Sequence, residues 1–173
     1  MVTNKKCGRC GEKALVKLSY TKRIYCNECF IRMIEKRIRK DLRINKKIGE
    51  KINLLHDDSK EFRIARLFLK NIFGSYKKII EVKKANKKTL IATNLDREIK
   101  KHLESYLKNE TFRKNNNNNV LNNVLEEEII KVCQIKKLSI GKKEIKNELI
   151  ETIEKKYSGT KFALAKSFEK IIS

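Results

Sequence analysis

Apolar residues recur at every fourth position through Phe30, Ile34, Ile38 and Leu42, a period that predicts an amphipathic helix starting at Cys29 or just before it and running to about Ile44. Ahead of it, Leu15, Val16 and Leu18 precede a turn near Thr21-Lys22, and Ile24-Tyr25 follow, so Ala14 to Tyr25 reads as a short hairpin. Lys51 to Leu55 is a short strand, and a helix from about Ser59 to Phe73 buries Phe62, Ala65, Leu69 and Ile72. Lys77 to Lys88 reads in two ways, since Ile79, Ile80 and Val82 suit an edge strand or a continuing helix. Thr89 to Thr93 is a second strand, followed by a helix from Asp96 to about Lys108 with Ile99, Leu103 and Leu107 inward. Asn115 to Asn119 is a low-complexity run, expected as a mobile loop. Three helices close the pattern, at Glu126 to about Lys137, Lys143 to Lys156, and Thr160 to Ile172, the last burying Phe162, Ala165, Phe168 and Ile172. The order strand-helix-strand-helix argues for an α/β fold, a small and mostly parallel sheet with helices packed on it.

The chain has 173 residues, 40% of them apolar, enough for a packed core. Charge changes the picture more. Forty-three Lys and Arg against 21 Asp and Glu leave a formal charge of +22, a self-repulsion that usually serves an anionic partner. Nucleic acid is the first candidate and a membrane surface the second, although no apolar run approaches the roughly 18 residues a bilayer span needs. The polar, cysteine-bearing stretch Met1 to Gly11 does not read as a secretory signal, so the five cysteines are expected in a reducing cytoplasm. Fifteen basic and five acidic residues fall in the first fifty. The predicted helix there carries Arg32, Lys36, Arg37, Arg39, Lys40 and Arg43, either a solvated face or a stripe that follows RNA phosphates. Lys5, Lys6, Arg9, Lys17 and Lys22 extend the same charge.

Cys7-Gly8-Arg9-Cys10 and Cys26-Asn27-Glu28-Cys29 have the C-x2-C spacing of a structural zinc site, with fifteen residues between the pairs. A two-residue gap lets two thiolates bite one tetrahedral ion, and Gly11 after Cys10 permits the tight turn. Four thiolates would leave the metal no open position for catalysis. Buried free thiols or a redox pair are the alternatives. Three segments follow from this reading: a zinc ribbon at 1–30, a basic connecting helix at 31–46, and an α/β domain with C-terminal helices at 47–173.

Taken in order, these pieces resemble the PP-loop tRNA 2-thiolation proteins, which make 2-thiouridine from ATP, sulfur and tRNA. The four-cysteine ribbon leads into Cys29-Phe30 and a basic helix, and the strand at Lys51 to Leu55 sits where that family's first strand feeds its phosphate loop. Thr89-Leu90-Ile91-Ala92-Thr93-Asn94-Leu95-Asp96-Arg97-Glu98 is similar to the family's second signature. Lys156-Tyr157-Ser158-Gly159-Thr160-Lys161-Phe162, then Ser167-Phe168-Glu169-Lys170, is similar to its C-terminal helix entry.

The departures set the functional expectation. The family's ATP loop is Ser-Gly-Gly-Lys-Asp-Ser, and here Asp57-Asp58-Ser59-Lys60-Glu61-Phe62 stands in its place, a degenerate loop without the glycines that let backbone N–H groups reach a pyrophosphate. Asp58 is expected instead as a helix N-cap, with Glu61 completing a reciprocal cap. Outside the ribbon only Cys133 remains, too few thiols for an iron–sulfur cluster, so it reads as a small core residue. His56 and His102 have no convergent catalytic partners and read as ordinary residues.

The resemblance therefore implies the branch in which a shortened, non-catalytic subunit pairs with an active PP-loop enzyme. The chain is expected to be a tRNA-binding pseudoenzyme in a cytoplasmic hetero-oligomer that thiolates the wobble uridine. Structural zinc is its expected metal, with no catalytic residues, no iron–sulfur cluster and no ATP binding. Two other classes stand beside it: a free-standing zinc-ribbon RNA-binding protein, and an ATP-dependent thiolation enzyme with a rearranged loop.

Overall fold

A computed structural model describes residues 5–45, 48–110, 118–141 and 147–172. The N-terminal ribbon is a hairpin of β1 (Val16–Lys17) and β2 (Ile24–Tyr25), antiparallel with Val16 opposite Tyr25. It runs into α1 (Asn27–Asn45), whose stripe Phe30, Ile34, Ile38 and Leu42 is buried as the fourfold period predicts.

The sheet is a βαβ unit. β3 (Lys51–Leu55) and β4 (Lys78–Val82) are parallel, in register from Lys51 beside Lys78 to Leu55 beside Val82, and α2 (Lys60–Phe73) crosses between them. This settles the ambiguous segment as a strand. On the other side of β3 the expected strand at Thr89–Thr93 is reduced to bridges. Leu90 pairs parallel with Leu54, and Ile91 pairs parallel with Asn119. The asparagine run therefore ends in structure. Asn119 is 2% exposed, and its side chain bonds the Thr93 backbone on both its donor and acceptor sides, while 115–117 lie outside the described residues.

Helices α3 (Leu95–Leu107), α4 (Glu126–Lys136), α5 (Glu148–Lys156) and α6 (Thr160–Ile172) complete six helices among the described residues. One apolar core runs from Cys7 and Val16 in the ribbon through α1, α2 and β3 to Cys133 in α4. A smaller one joins Leu95, Ile99, Leu125 and Ile150 with Phe162 and Phe168. Three sequence expectations change here. Leu107 is 79% exposed, because it lies in the last turn of α3. The fifth helix begins at Glu148, and 142–146 are outside the described residues. The cap of α2 is Ser59, whose hydroxyl accepts from the Phe62 N–H, while Asp58 sits just before it in the left-handed region at φ 54°.

Candidate metal centre and nucleic-acid interface

Two knuckles bring the four ribbon cysteines together. The first is closed by Cys7 N–H to Glu12 O (2.7 Å) and Gly11 N–H to Cys7 O (3.0 Å), with Gly11 at φ 81°, where a side chain would be strained. The second sits at the start of α1, where the N–H groups of Cys29 and Phe30 face Cys26. A bond from Gly8 N–H to Ile24 O ties the first knuckle to the hairpin. The four sulfurs all lie within 4.8 Å of one another, with Cys10 and Cys26 at 3.6 Å. Cys7 and Cys29 are buried, and Cys10 is exposed.

Their proton affinities diverge. Burial raises the Cys7 thiol, but hydrogen bonds from the backbone of Cys26, Arg9 and Cys10 outweigh it and bring it down to about 6. Cys29 is pushed up to about 12 by its hydrogen bond with Cys10 and then by burial. A cluster in which one thiol ionises readily and another resists shares its protons, and a metal that replaces them releases that conflict. Cys133 lies apart in α4, fully buried, and burial raises its thiol.

On α1, the side chains of Arg32, Lys36, Arg39, Lys40 and Arg43 are exposed, as are Lys5, Lys6, Arg9, Lys17 and Lys22 in the ribbon. Arg32 and Arg39 make i,i+4 pairs with Glu28 (3.5 Å) and Glu35 (2.8 Å), which leave them facing water. Arg37 is turned the other way. Its guanidinium donates to Glu128 (2.8 Å), to the Asn123 carbonyl (2.8 Å) and to the Tyr20 hydroxyl (3.2 Å), and lies over the Phe162 ring. Tyr20 also donates to Glu128 (2.5 Å), whose carboxylate is 0% exposed. Burial pushes the Glu128 carboxyl up, partly offset by Arg37. Nothing in the period of α1 separates Arg37 from its neighbours, because its partner lies 91 residues away.

The loop at Asp57–Glu61 is locked internally. Asp57 accepts from the Ser59 N–H (3.1 Å) and hydroxyl (2.7 Å), and Asp58 pairs with His56 (2.8 Å), which holds its carboxyl below the usual range. His56 itself stacks on Phe62 at 4.4 Å, and His102 stacks on Phe168 at 5.0 Å. Lys60 and Glu61 turn into the protein instead of completing a cap. Lys60 meets Glu126 at 2.8 Å and Glu61 at 3.8 Å, and the Asn94 amide donates to Glu61 (2.8 Å) and Glu126 (2.9 Å). Arg97 lies 3.9 Å from Glu61. Asn94 and Glu126 were not singled out from sequence; the signal for Asn94 was its place as an N-cap residue type immediately before an apolar-periodic helix.

No family model and no curated protein matches the chain. Solved structures do. One is the U34-tRNA thiolase NcsA from Methanococcus maripaludis with its [4Fe-4S] cluster, at TM-score 0.75 and 16% identity, covering 99% of this chain and 88% of that one. Two expectations fall with this likeness. The solved protein that shares the fold is an enzyme, so the shape gives no ground for excluding catalysis, and that exclusion is withdrawn. The same protein carries an iron–sulfur cluster, which overturns the expectation of zinc with no cluster. Four thiols are a donor set that [4Fe–4S] clusters take. The present spread of the sulfurs suits ligands around one centre of small radius, so a cubane would seat only with the two knuckles drawn apart. Among the described residues, no helix is long and apolar enough to cross a membrane. At 16% identity the comparison speaks of architecture, and on that point it is plain: the chain has the α/β fold of a PP-loop tRNA thiolase, with four cysteines gathered at its N-terminus.

Proposed function

We propose that the chain is a tRNA-binding subunit of a wobble-uridine 2-thiolation complex and works beside a catalytic PP-loop partner in the cytoplasm. The observation that carries this reading is a fold match running through 99% of the chain to a U34-tRNA thiolase. The charge of +22 supports a polyanion as the partner. Arg32, Lys36, Arg39, Lys40 and Arg43 would lie along the sugar–phosphate backbone, with the ribbon lysines extending the contact. Arg37 is left out, since its guanidinium is committed to Glu128.

Cys7, Cys10, Cys26 and Cys29 hold the metal centre in this reading, and an iron–sulfur cluster, seated with the two knuckles drawn apart, is the occupant proposed for them. With all four ligands supplied by the chain, such a centre orders the ribbon against the start of α1. Protein isolated without oxygen should contain iron and acid-labile sulfide in equal amounts. Folded protein with neither overturns the assignment of the cluster and leaves the tRNA reading standing.

The function is tested by co-expressing the chain with a full-length PP-loop paralogue and measuring light scattering on a column, then 2-thiouridine formation. The reading expects a stoichiometric complex that thiolates tRNA faster than the paralogue alone. If the two proteins elute apart with and without tRNA, and thiolation is unchanged, the reading fails. The chain alone, supplied with ATP and a sulfur donor, is assayed in the same series to read any thiolation it carries itself.

A further inference from the structure

The edge of the parallel sheet is charged in a way that the cysteine ribbon and α1 do not explain. Residues 77–88 hold six lysines and one acid, Glu81. That acid is engaged elsewhere: its carboxylate pairs with Arg66 (2.5 Å) and faces His56 (3.4 Å). Lys77 is also engaged, donating to the carbonyls of Ile48 and Gly49. Lys78, Lys83, Lys84, Lys87 and Lys88 are exposed, and none is in an ion pair among the described residues. Lys51 joins them, exposed and in direct register with Lys78 on the neighbouring strand. Like charges placed opposite each other in a sheet are destabilising.

The lysines past the end of β4 are presented on a built turn. Asn86 accepts from the Lys88 N–H and from the Thr89 hydroxyl (each 2.9 Å), while Thr89, fully buried, accepts from the Asn86 N–H (2.9 Å). Asn118 fastens the Lys87 carbonyl at 2.8 Å. Lys78 opens β4 and Lys83 follows its last residue, about 16 Å along an extended strand, with Lys84, Lys87 and Lys88 on the bend and turn beyond it, so the charges gather on one edge strand and its exit. A cluster of exposed cations outside any ion pair among the described residues, carried on a strand and a hydrogen-bonded turn, fits a polynucleotide backbone, whose phosphates are dense and sequence-independent.

We propose that Lys51, Lys78, Lys83, Lys84, Lys87 and Lys88 form a second binding surface for the RNA phosphate backbone, separate from α1. This rests on the tRNA-binding reading above and adds a surface which that reading does not use. The attraction is electrostatic and independent of base sequence, so it strengthens and orients binding without choosing the tRNA.

The test is the salt dependence of binding of unmodified tRNA to the full chain. Replacing Lys83, Lys84, Lys87 and Lys88 by Gln should reduce the slope of log K against log salt by about 0.7–0.9 for each phosphate no longer neutralised, or about 3 for four phosphates. A control takes the same charge from exposed lysines elsewhere, at Lys136, Lys137, Lys155 and Lys166, and should leave most of the slope. The substitutions spare Asn86 and Thr89, so the turn persists; should the fourfold variant lose its fold, Lys87→Gln with Lys88→Gln should still show half the effect. An unchanged slope, or an equal loss in the control, overturns the second surface while wild-type binding keeps the tRNA reading. Loss of binding to anionic vesicles in place of tRNA assigns the edge to a membrane and overturns it too. A wild-type chain that does not bind tRNA overturns both.

Discussion

Arg37→Ala should behave unlike any other substitution in the basic stripe of α1. The wild-type guanidinium neutralises Glu128, which is completely buried, and so joins α1 to α4, to the turn before α4 through Asn123 and to the ribbon through Tyr20. Removing one partner of a buried ion pair typically costs about 3–5 kcal/mol, because the other charge stays behind without its counterion. Arg37 keeps a side-chain exposure of 24%, and Glu128 would retain the Tyr20 hydroxyl and the Leu125 N–H (2.9 Å), which places the cost near the lower end, about 3 kcal/mol. With urea slopes of about 1–3 kcal/mol per molar, the unfolding midpoint falls by about 1 M or more. The loss should shrink on acidification. Burial already raises the Glu128 carboxyl, so the folded state binds more protons than the unfolded one and gains relative stability as pH falls. Without Arg37 the carboxyl rises further, and protonation then removes the uncompensated charge. Replacing Arg39 and Arg43 by Ala should do the reverse: an almost unchanged midpoint and weaker tRNA binding with a flatter salt slope. If Arg37→Ala keeps its urea midpoint and loses tRNA affinity as the other two do, Arg37 touches RNA and the buried clamp is refuted.

Four further outcomes follow from the same geometry. Cys7→Ser removes one of four converging ligands and should abolish metal in elemental analysis and amide protection throughout β1 and β2 in hydrogen exchange. Ser59→Ala deletes the cap of α2 and should cost about 1 kcal/mol in denaturant titration. Asn94→Ala leaves Glu61 and Glu126 without the amide that bridges them and uncaps α3, for about 3 kcal/mol measured the same way. Lys137→Gly should stabilise, raising the thermal midpoint by up to about 1 kcal/mol in equivalent free energy, since Lys137 closes α4 at φ 53°, where a side chain is strained.

What was legible in the sequence was what local spacing controls. The stripe of α1, the knuckles, the hairpin, the limits of β3 and the inner face of α2 all follow from period and composition. In α6, Phe162, Ala165 and Phe168 are half-buried against the smaller core, while the side chain of Ile172 lies outside the described ones. Most of the failures share a cause, a partner remote in sequence, and the cap of α2 turned on local backbone geometry instead. Thr89–Thr93 has the residues of a strand, but among the described residues its bridges are to Leu54 and Asn119 alone. Asn119 reads as the end of a polar run and is buried because Thr93 needs its amide. Glu61 stands where a capping box expects a carboxylate, but Asn94, 33 residues on, draws it inward. Asp58 and Ser59 are both good cap residues, and φ at Asp58 leaves the role to Ser59. Zinc was read from the spacing of four cysteines that are present, while the exclusion of a cluster and of catalysis was read from residues that were missing, and the fold comparison overturned both the cofactor and the activity readings. Absent motifs are a weaker guide than present ones when an architecture persists at 16% identity.

The ribbon is not an appendage on this architecture, and that bears on what its metal does. The Ser19 N–H and hydroxyl both donate to Glu127, Tyr20 donates to Glu128, and Ser158 donates to the Tyr20 carbonyl at 2.6 Å. The turn between β1 and β2 is therefore held by the first turn of α4 and by the entry to α6, while the cysteines at the other end of the hairpin hold the start of α1. Metal binding would order the hairpin, and an ordered hairpin would present Ser19 and Tyr20 to α4 at no further entropic cost. The binding free energy of a metal held there would thus reach the docking of α1, which carries the exposed arginines, and of α4 and α6. Tyr20→Phe weakens that path by removing a hydroxyl worth about 1 kcal/mol while leaving every cysteine in place. In that variant, metal removal should loosen the hairpin more than α4 in hydrogen exchange, whereas in the wild-type chain the two should loosen together. Protection of α4 that ignores the metal in both proteins would mean that the ribbon folds for itself alone.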